Sequence, residues 1–234
     1  MKHLKAICLC LSLSLLLSHL CFTSCYATDI ACSGEVYYNN KNDQMKIALT
    51  FDDGPHPRYT PKILDILDKY GIKATFFVIG ENAMYYSDAL MQISERGHEI
   101  ANHTYSHITF SKSNLGKLKG EIERCETEIF KRTQCKTKLF RPPEGMMSQE
   151  LRSIVGEMEY TVILWDLDTR DWAHTPPGEI AENITKNIRS GDVIQMNDFI
   201  GYNSPTPEAL ELFIPVLLER GYKFVTVSEL IEAK

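Results

Sequence analysis

Lys46-Ile47-Ala48-Leu49-Thr50-Phe51-Asp52-Asp53-Gly54-Pro55 is the stretch on which the reading of this chain rests. Ile47, Leu49 and Phe51 alternate, which is the period of a strand. Gly54-Pro55 stops that strand, so Asp52 and Asp53 sit where it leaves the core. Burying two adjacent acids is costly unless cations or hydrogen bonds compensate, and a metal ion is one such cation. About fifty residues later comes Asn102-His103-Thr104-Tyr105-Ser106-His107. A carboxylate plus two imidazoles, with a fourth position open to water, is the ligand set of a catalytic zinc. Each motif alone has an ordinary reading. Asp-Asp-Gly-Pro is a common turn, and His-x3-His puts two rings on one side of a solvated helix. Only their combination points to a site.

Working outward, strand-like segments at 46–51, 74–79, 98–102, 138–141, 160–165, 192–196 and 223–227 alternate with helix-like segments at 60–70, 86–96, 112–132, 148–157, 178–189 and 206–220. Gly71, Gly97 and Gly221 fall where three of these helices should end in left-handed caps. Thr60-Pro61 and Thr206-Pro207 read as N-caps followed by proline. Seven strands alternating with helices imply an α/β fold with a mainly parallel sheet, open or closed into a distorted barrel. Asp52, Asp53, His103, Arg141, Asp166, Asn197 and Asp198 all follow strands, the end at which barrel enzymes place their chemistry.

Residues 1–27 read as a secretory signal: Lys2 and Lys5, an apolar run from Ala6 to Leu17, then Cys25-Tyr26-Ala27 as a small-residue cleavage site. The run is shorter than the roughly 20 residues of a membrane span, so no stable transmembrane anchor is expected. A lipoprotein site at Cys25 is the weaker alternative. Removing 27 of 234 residues leaves 207, enough for one domain at 45–234 after a short polar lead-in at 28–44. The net charge of −6 gives no reason to expect nucleic acid as partner. Four of the seven cysteines lie in the signal, and Cys32, Cys125 and Cys135 are too few for a disulfide scaffold. A Cys125–Cys135 bridge and unpaired thiols both remain open. The expected protein is exported, secreted or associated with the cell wall, and monomeric.

Further motifs are Phe140-Arg141-Pro142-Pro143-Glu144-Gly145, Trp165-Asp166-Leu167-Asp168-Thr169-Arg170-Asp171-Trp172 and Gly191-Asp192-Val193-Ile194-Gln195-Met196-Asn197-Asp198. Tryptophan beside acids suits a sugar, which offers an apolar face for stacking and hydroxyls for hydrogen bonds. In this order, over about residues 45–230, the motifs resemble the polysaccharide deacetylase family, carbohydrate esterase family 4. The resemblance implies a distorted parallel β/α barrel and a metal-dependent hydrolase removing N-acetyl groups from an amino-sugar polymer, peptidoglycan first and chitin-like oligosaccharides next. It also implies a divalent metal, usually zinc, held by Asp53, His103 and His107. Asp52 would be the general base, with Arg141 keeping it ionised and oriented. A backbone N–H near Pro143-Glu144 would support the oxyanion. Asp171 belongs to the motif that orients the family's catalytic histidine, and Trp172 would wall the sugar site.

This chain departs from that pattern in its last motif. Where the family has a pocket-lining leucine and a proton-donating histidine, it has Gln195 and Asn197. Asparagine cannot donate a proton near neutral pH, and losing a general acid typically costs about 10²–10⁴-fold in rate. Asp198 or His174 are the candidate substitutes. Two alternatives stand beside the N-deacetylase: a non-catalytic, metal-assisted carbohydrate-binding protein, and an O-acetyl esterase, whose better leaving group needs less acid help.

Overall fold

The computed structural model describes residues 34–41 and 44–232. The signal-peptide reading of residues 1–27 and Cys32 lie outside them, and no helix among the described residues is long and apolar enough to cross a membrane.

The strands are β1 (Val36–Tyr37), β2 (Lys46–Asp52), β3 (Thr75–Val78), β4 (Glu99–Asn102), β5 (Leu139–Phe140), β6 (Thr161–Ile163), β7 (Leu167–Asp168), β8 (Val193–Asn197) and β9 (Lys223–Val225). They form one sheet in the order β1-β6-β5-β4-β3-β2-β8-β7, with β9 also on β2. Every strand pair is parallel. The seven expected strands are all present, and β1 and β7 are two short additions. The helices are α1 (Tyr59–Lys69), α2 (Gly80–Tyr85), α3 (Ser87–Glu95), α4 (Leu118–Thr133), α5 (Gln149–Glu157), α6 (Pro177–Asn187), α7 (Thr206–Glu219) and α8 (Val227–Ile231). The sequence pattern gave neither α2 nor α8, and it began α4 too early, across a 3-10 turn at Leu115–Lys117.

The alternation in β2 sorts its side chains between two cores. Ile47, Leu49 and Phe51 face the helical layer, in one cluster with Ile63 and Leu64 of α1 and Phe213 and Leu217 of α7. Ala48 faces the other way, into an apolar plug with Phe77, Ala101, Leu139, Ile163 and Val193 that Val227 and Leu230 of α8 complete. Thr50 and Asp52 share that inward face by the period of two, which carries Asp52 to the mouth of the half-barrel.

The lead-in does more than its polar composition suggested. β1 adds to β6, and Asn39 makes an antiparallel bridge with Asp192 just before β8. The backbone N–H of Asn40 donates to the Gly191 carbonyl at 2.9 Å. This short segment therefore spans the gap between the two arms of the sheet. A Cβ at Gly191, whose φ is +96°, would come 2.3 Å from the Asn40 carbonyl oxygen, so only glycine allows the approach.

The expected left-handed φ values occur at Gly71, Gly97 and Gly221. The two expected threonine caps do not occur. Helix α1 starts one residue early, with Arg58 at its N-cap, and α7 has Pro205 there. Thr60 and Thr206 instead donate their hydroxyls to the buried carboxylates of Asp198 and Asp171, at 2.5 and 2.7 Å. Cys125 is not bridged to Cys135. Its buried thiol faces the Val78 carbonyl at 3.4 Å, and burial pushes its pKa well up.

Candidate active site

The loops after β2, β4 and β5 meet at the mouth. Asp53 turns its carboxylate there through a left-handed backbone, φ +67°. Asn82 of α2 fixes the turn by donating to the Asp53 carbonyl at 2.9 Å. His103 and His107 are not on a helix. They lie in an irregular loop after β4 in which Thr104 and His107 have positive φ. Asn102 accepts from the Thr104 N–H, and Glu121 of α4 accepts from the N–H groups of Tyr105 and Ser106. These side-chain acceptors replace the helical ladder that the spacing alone suggested.

The Nε2 atoms of His103 and His107 lie 3.4 and 3.1 Å from Asp53 Oδ1, and the three ligand atoms fall within 4.8 Å of one another. Two atoms each about 2.0–2.1 Å from one tetrahedral ion are about 3.3 Å apart, so the spacing fits a shared cation. Asp53 Oδ1 is buried and has no hydrogen-bond partner. Its other oxygen accepts from Asn197 Nδ2 at 2.8 Å. His103 Nδ1 lies 2.8 Å from the Arg141 carbonyl oxygen, and as donor there it leaves the Nε2 lone pair toward Asp53. Burial pushes the Asp53 carboxyl up, but the two imidazoles outweigh it and hold it below the usual carboxylate range. The Asp53 carboxylate in turn raises His107. The donor set, the orphaned oxygen and the fixed tautomer fit a divalent ion.

Arg141 is fully buried, with Phe77 4.0 Å from its guanidinium carbon. It donates to Asp52 Oδ1 at 2.7 Å, Thr50 Oγ1 at 2.9 Å and the carbonyls of Ile163 and Leu164 at 3.0 and 3.1 Å. Burial lowers its pKa, opposed by Asp52, but a guanidinium stays charged regardless. Asp52 is thereby held through one oxygen, one residue from the histidine-facing carboxylate. Thr50 was within reach of sequence reasoning, because it shares the inward face of β2 with Asp52.

The β8 side is built from amides. Gln195 Nε2 donates to Asp52 Oδ2 at 3.2 Å and to Asn197 Oδ1 at 3.1 Å, while Gln195 Oε1 is buried without a partner. Arg141, Asp52, Gln195, Asn197 and Asp53 thus form one continuous chain of hydrogen bonds. Asp171 stands behind it, fully buried. It accepts from the Asn197 backbone N–H and from Thr206, both at 2.7 Å, and from the Trp172 N–H at 2.8 Å. Burial pushes its carboxyl up to about 6. In this chain Asp171 holds backbone, not a histidine ring.

The remaining sequence candidates sit farther out. Pro143 is buried and has no N–H, so Glu144 is the member of that pair able to offer one. The Glu144 side chain is exposed, as expected, and accepts from Thr109 at 3.1 Å. Trp172 is half exposed, its indole donating to Asp168. Asp166 lies away from the mouth, accepting from the Val193 N–H and Asn39 at the start of β8. Burial raises Asp198 to about 7, the range a proton donor needs, but the carboxyl is turned toward Thr60 and fills the space where Gly54 lacks a Cβ. His174 is exposed beyond the Asp171–Ala173 turn, and no described hydrogen bond ties it to the Asp52–Asn197 chain.

Comparison with known proteins gives the family. The family model described as polysaccharide deacetylase matches residues 39–163. A peptidoglycan-N-acetylglucosamine deacetylase of Bacillus cereus is 38% identical over 86% of this chain and 95% of its own length. Among solved structures, a peptidoglycan N-acetylglucosamine deacetylase in complex with 4-naphthalen-1-yl-N-oxidanyl-benzamide superposes with a TM-score of 0.81 at 32% identity, covering 85% of this chain and 94% of that one. A carbohydrate esterase family 4 pseudoenzyme from Bacillus anthracis gives 0.79 at 28% identity, covering 85% and 69%. A mutant of that pseudoenzyme has restored enzymatic activity. The chain belongs to the polysaccharide deacetylase family.

Proposed function

We propose that this chain is an exported, metal-dependent hydrolase that removes N-acetyl groups from peptidoglycan or a related amino-sugar polymer. The observation that carries the reading is the convergence of Asp53, His103 and His107 on a partnerless carboxylate oxygen beside an Asp52 pinned by Arg141. Asp53, His103 and His107 would hold the ion, zinc first by its ligand chemistry. When bound, such an ion polarises an amide carbonyl and acidifies water. Asp52 is the proton acceptor. Arg141 occupies Oδ1, and Oδ2 makes only the longer Gln195 contact, so Oδ2 takes the proton. The Glu144 N–H can face the developing oxyanion. Trp172 offers an exposed indole to the sugar face.

The leaving amine has no histidine donor. Asn197 is committed on both ends, to Asp53 and to Gln195, so deacetylation should run below the rate of a complete site. To test the reading, zinc-loaded protein is incubated with peptidoglycan and with chito-oligosaccharides and free acetate is measured. Release above that of Asp52→Asn supports it, and equal release rejects it.

The amide network and the pseudoenzyme neighbour favour a second reading, a metal-assisted glycan-binding protein without turnover. It predicts saturable glycan binding with no acetate release. An O-acetyl esterase would instead release acetate from acetylated xylan and not from N-acetyl substrates.

A further inference from the structure

One group of aromatic side chains beside the cleft has no part in the chemistry above. His56 stacks on Phe199 with ring centroids 3.9 Å apart and planes 10° apart. Tyr86 lies 6.0 Å from the same imidazole. His56 Nδ1 accepts from the N–H groups of Arg58 and Tyr59 at 3.1 and 3.3 Å. Its Nε2 therefore carries the proton and is a donor on the ledge. Beyond Tyr86 opens a cavity of about 310 Å³ lined by Pro57, Tyr85, Tyr86, Asp88 and Gln92. Tyr85 is 67% exposed and Tyr86 37% exposed, which leaves ring faces in water.

The ledge adjoins the cleft from two directions. Phe199 lies two residues beyond Asn197, and His56 three beyond Asp53. Asn82 binds the Asp53 carbonyl, and Tyr85 follows it at the next turn of α2, about 5 Å along the helix. Aromatic faces flanked by a carboxylate, an amide and an imidazole N–H provide what a pyranose needs, an apolar face to stack on and partners for its hydroxyls.

We propose that His56, Phe199, Tyr85 and Tyr86, with the cavity beside α3, form a subsite for the sugar units next to the one presented at Asp53. The inference rests on the glycan reading of the cleft. It assigns the ledge to further units of the same N-acetylated strand, because only two and three residues of chain, at most about 3.8 Å each, separate Phe199 from Asn197 and His56 from Asp53.

The test titrates the full chain with chitobiose, chitotetraose and chitohexaose by calorimetry and follows acetate release in parallel. Wild type should bind the longer oligomers more tightly. Tyr86→Ala should weaken binding of the tetramer and hexamer roughly tenfold, the size of one lost aromatic contact, and change the dimer less than twofold. Tyr86→Phe, which keeps the ring, should match wild type. An equal effect of Tyr86→Ala at every length, no effect at any length, or no binding at all would overturn the subsite. Acetate release keeps the two readings apart. Turnover indifferent to Tyr86 leaves the deacetylase and removes the ledge. A Tyr86-dependent length step without turnover leaves the ledge and removes the deacetylase.

Discussion

The two sides of the cleft are finished differently. On the side of β2, β4 and β5, a buried carboxylate oxygen has no hydrogen-bond partner, and two imidazoles turn their Nε2 atoms to it. On the side of β8, Asn197 and both oxygens of Asp171 are engaged within the protein, and the Gln195 nitrogen with them. One side is organised for a ligand. The other is largely closed on itself, apart from Gln195 Oε1 and Asp198 Oδ1, which are buried without partners. Separate strands carry the two halves, so an arrangement that fits a cation can stand beside a hydrogen-bond network closed within the protein.

The largest test breaks the first side. His103→Ala removes one of the three proposed protein ligands and the group tied to the Arg141 carbonyl. A four-ligand zinc site is worth about 10–16 kcal/mol, so losing one ligand should lower affinity at least 10²-fold. Metal analysis after dialysis should fall from one ion per chain to none. Retention of stoichiometric metal would show that these residues do not form the centre.

Next comes the brace between the sides. Arg141→Met leaves the buried Asp52 carboxylate without its cation and removes donors from Thr50 and two carbonyls. Breaking a buried pair from one side costs about 3–5 kcal/mol. Denaturant unfolding should show a loss of that order, and the double variant with Asp52→Asn should lose less than the sum of the singles.

The second side is probed by Asn197→His. If the first side is competent, an imidazole there restores a proton donor, and acetate release should rise about 10²-fold. Gln195→Leu in the same chain should add to the gain, because Gln195 otherwise holds Asp52 Oδ2. A flat response in both, with metal bound, would move the protein to the glycan-binding reading.

The sequence showed the first side and much of the scaffold. Strand period, helix-ending glycines and the two acids followed by His-x3-His were enough to place β2, β4 and their loops. It did not show the second side, because the parts that matter there are bonds between distant residues. Thr60 and Thr206 looked like helix caps, yet they serve Asp198 and Asp171, 138 and 35 residues away. Gly54 looked like a turn residue. Its lack of a Cβ also makes room for the Asp198 carboxyl, which would otherwise lie 2.1 Å from it. The short lead-in read as polar filler because bridging two sheet arms takes backbone bonds, which leave no hydrophobic pattern.

The smallest expected effect distinguishes a carboxyl kept for structure from one kept for chemistry. Asp198 is fully buried, and burial lifts its pKa to about 7, opposed by the Thr60 hydroxyl and reinforced by Asp53. Its unfolded value is about 3.9. Between those values the native chain holds a proton that the unfolded chain has released, so this group's contribution to stability falls as pH rises from about 4 toward 7. Asp198→Asn keeps an acceptor for Thr60 and removes the titration. Unfolding free energies of wild type and variant, compared from pH 5 to 8, should move apart across that window by about 2–3 kcal/mol, the variant gaining as pH rises. Acetate release should keep its pH profile in the variant, since the carboxyl is fully buried, with Oδ2 held by Thr60 and packed against Gly54. A profile that loses a limb with Asp198→Asn would instead make this residue the missing proton donor and reopen the closed side of the cleft.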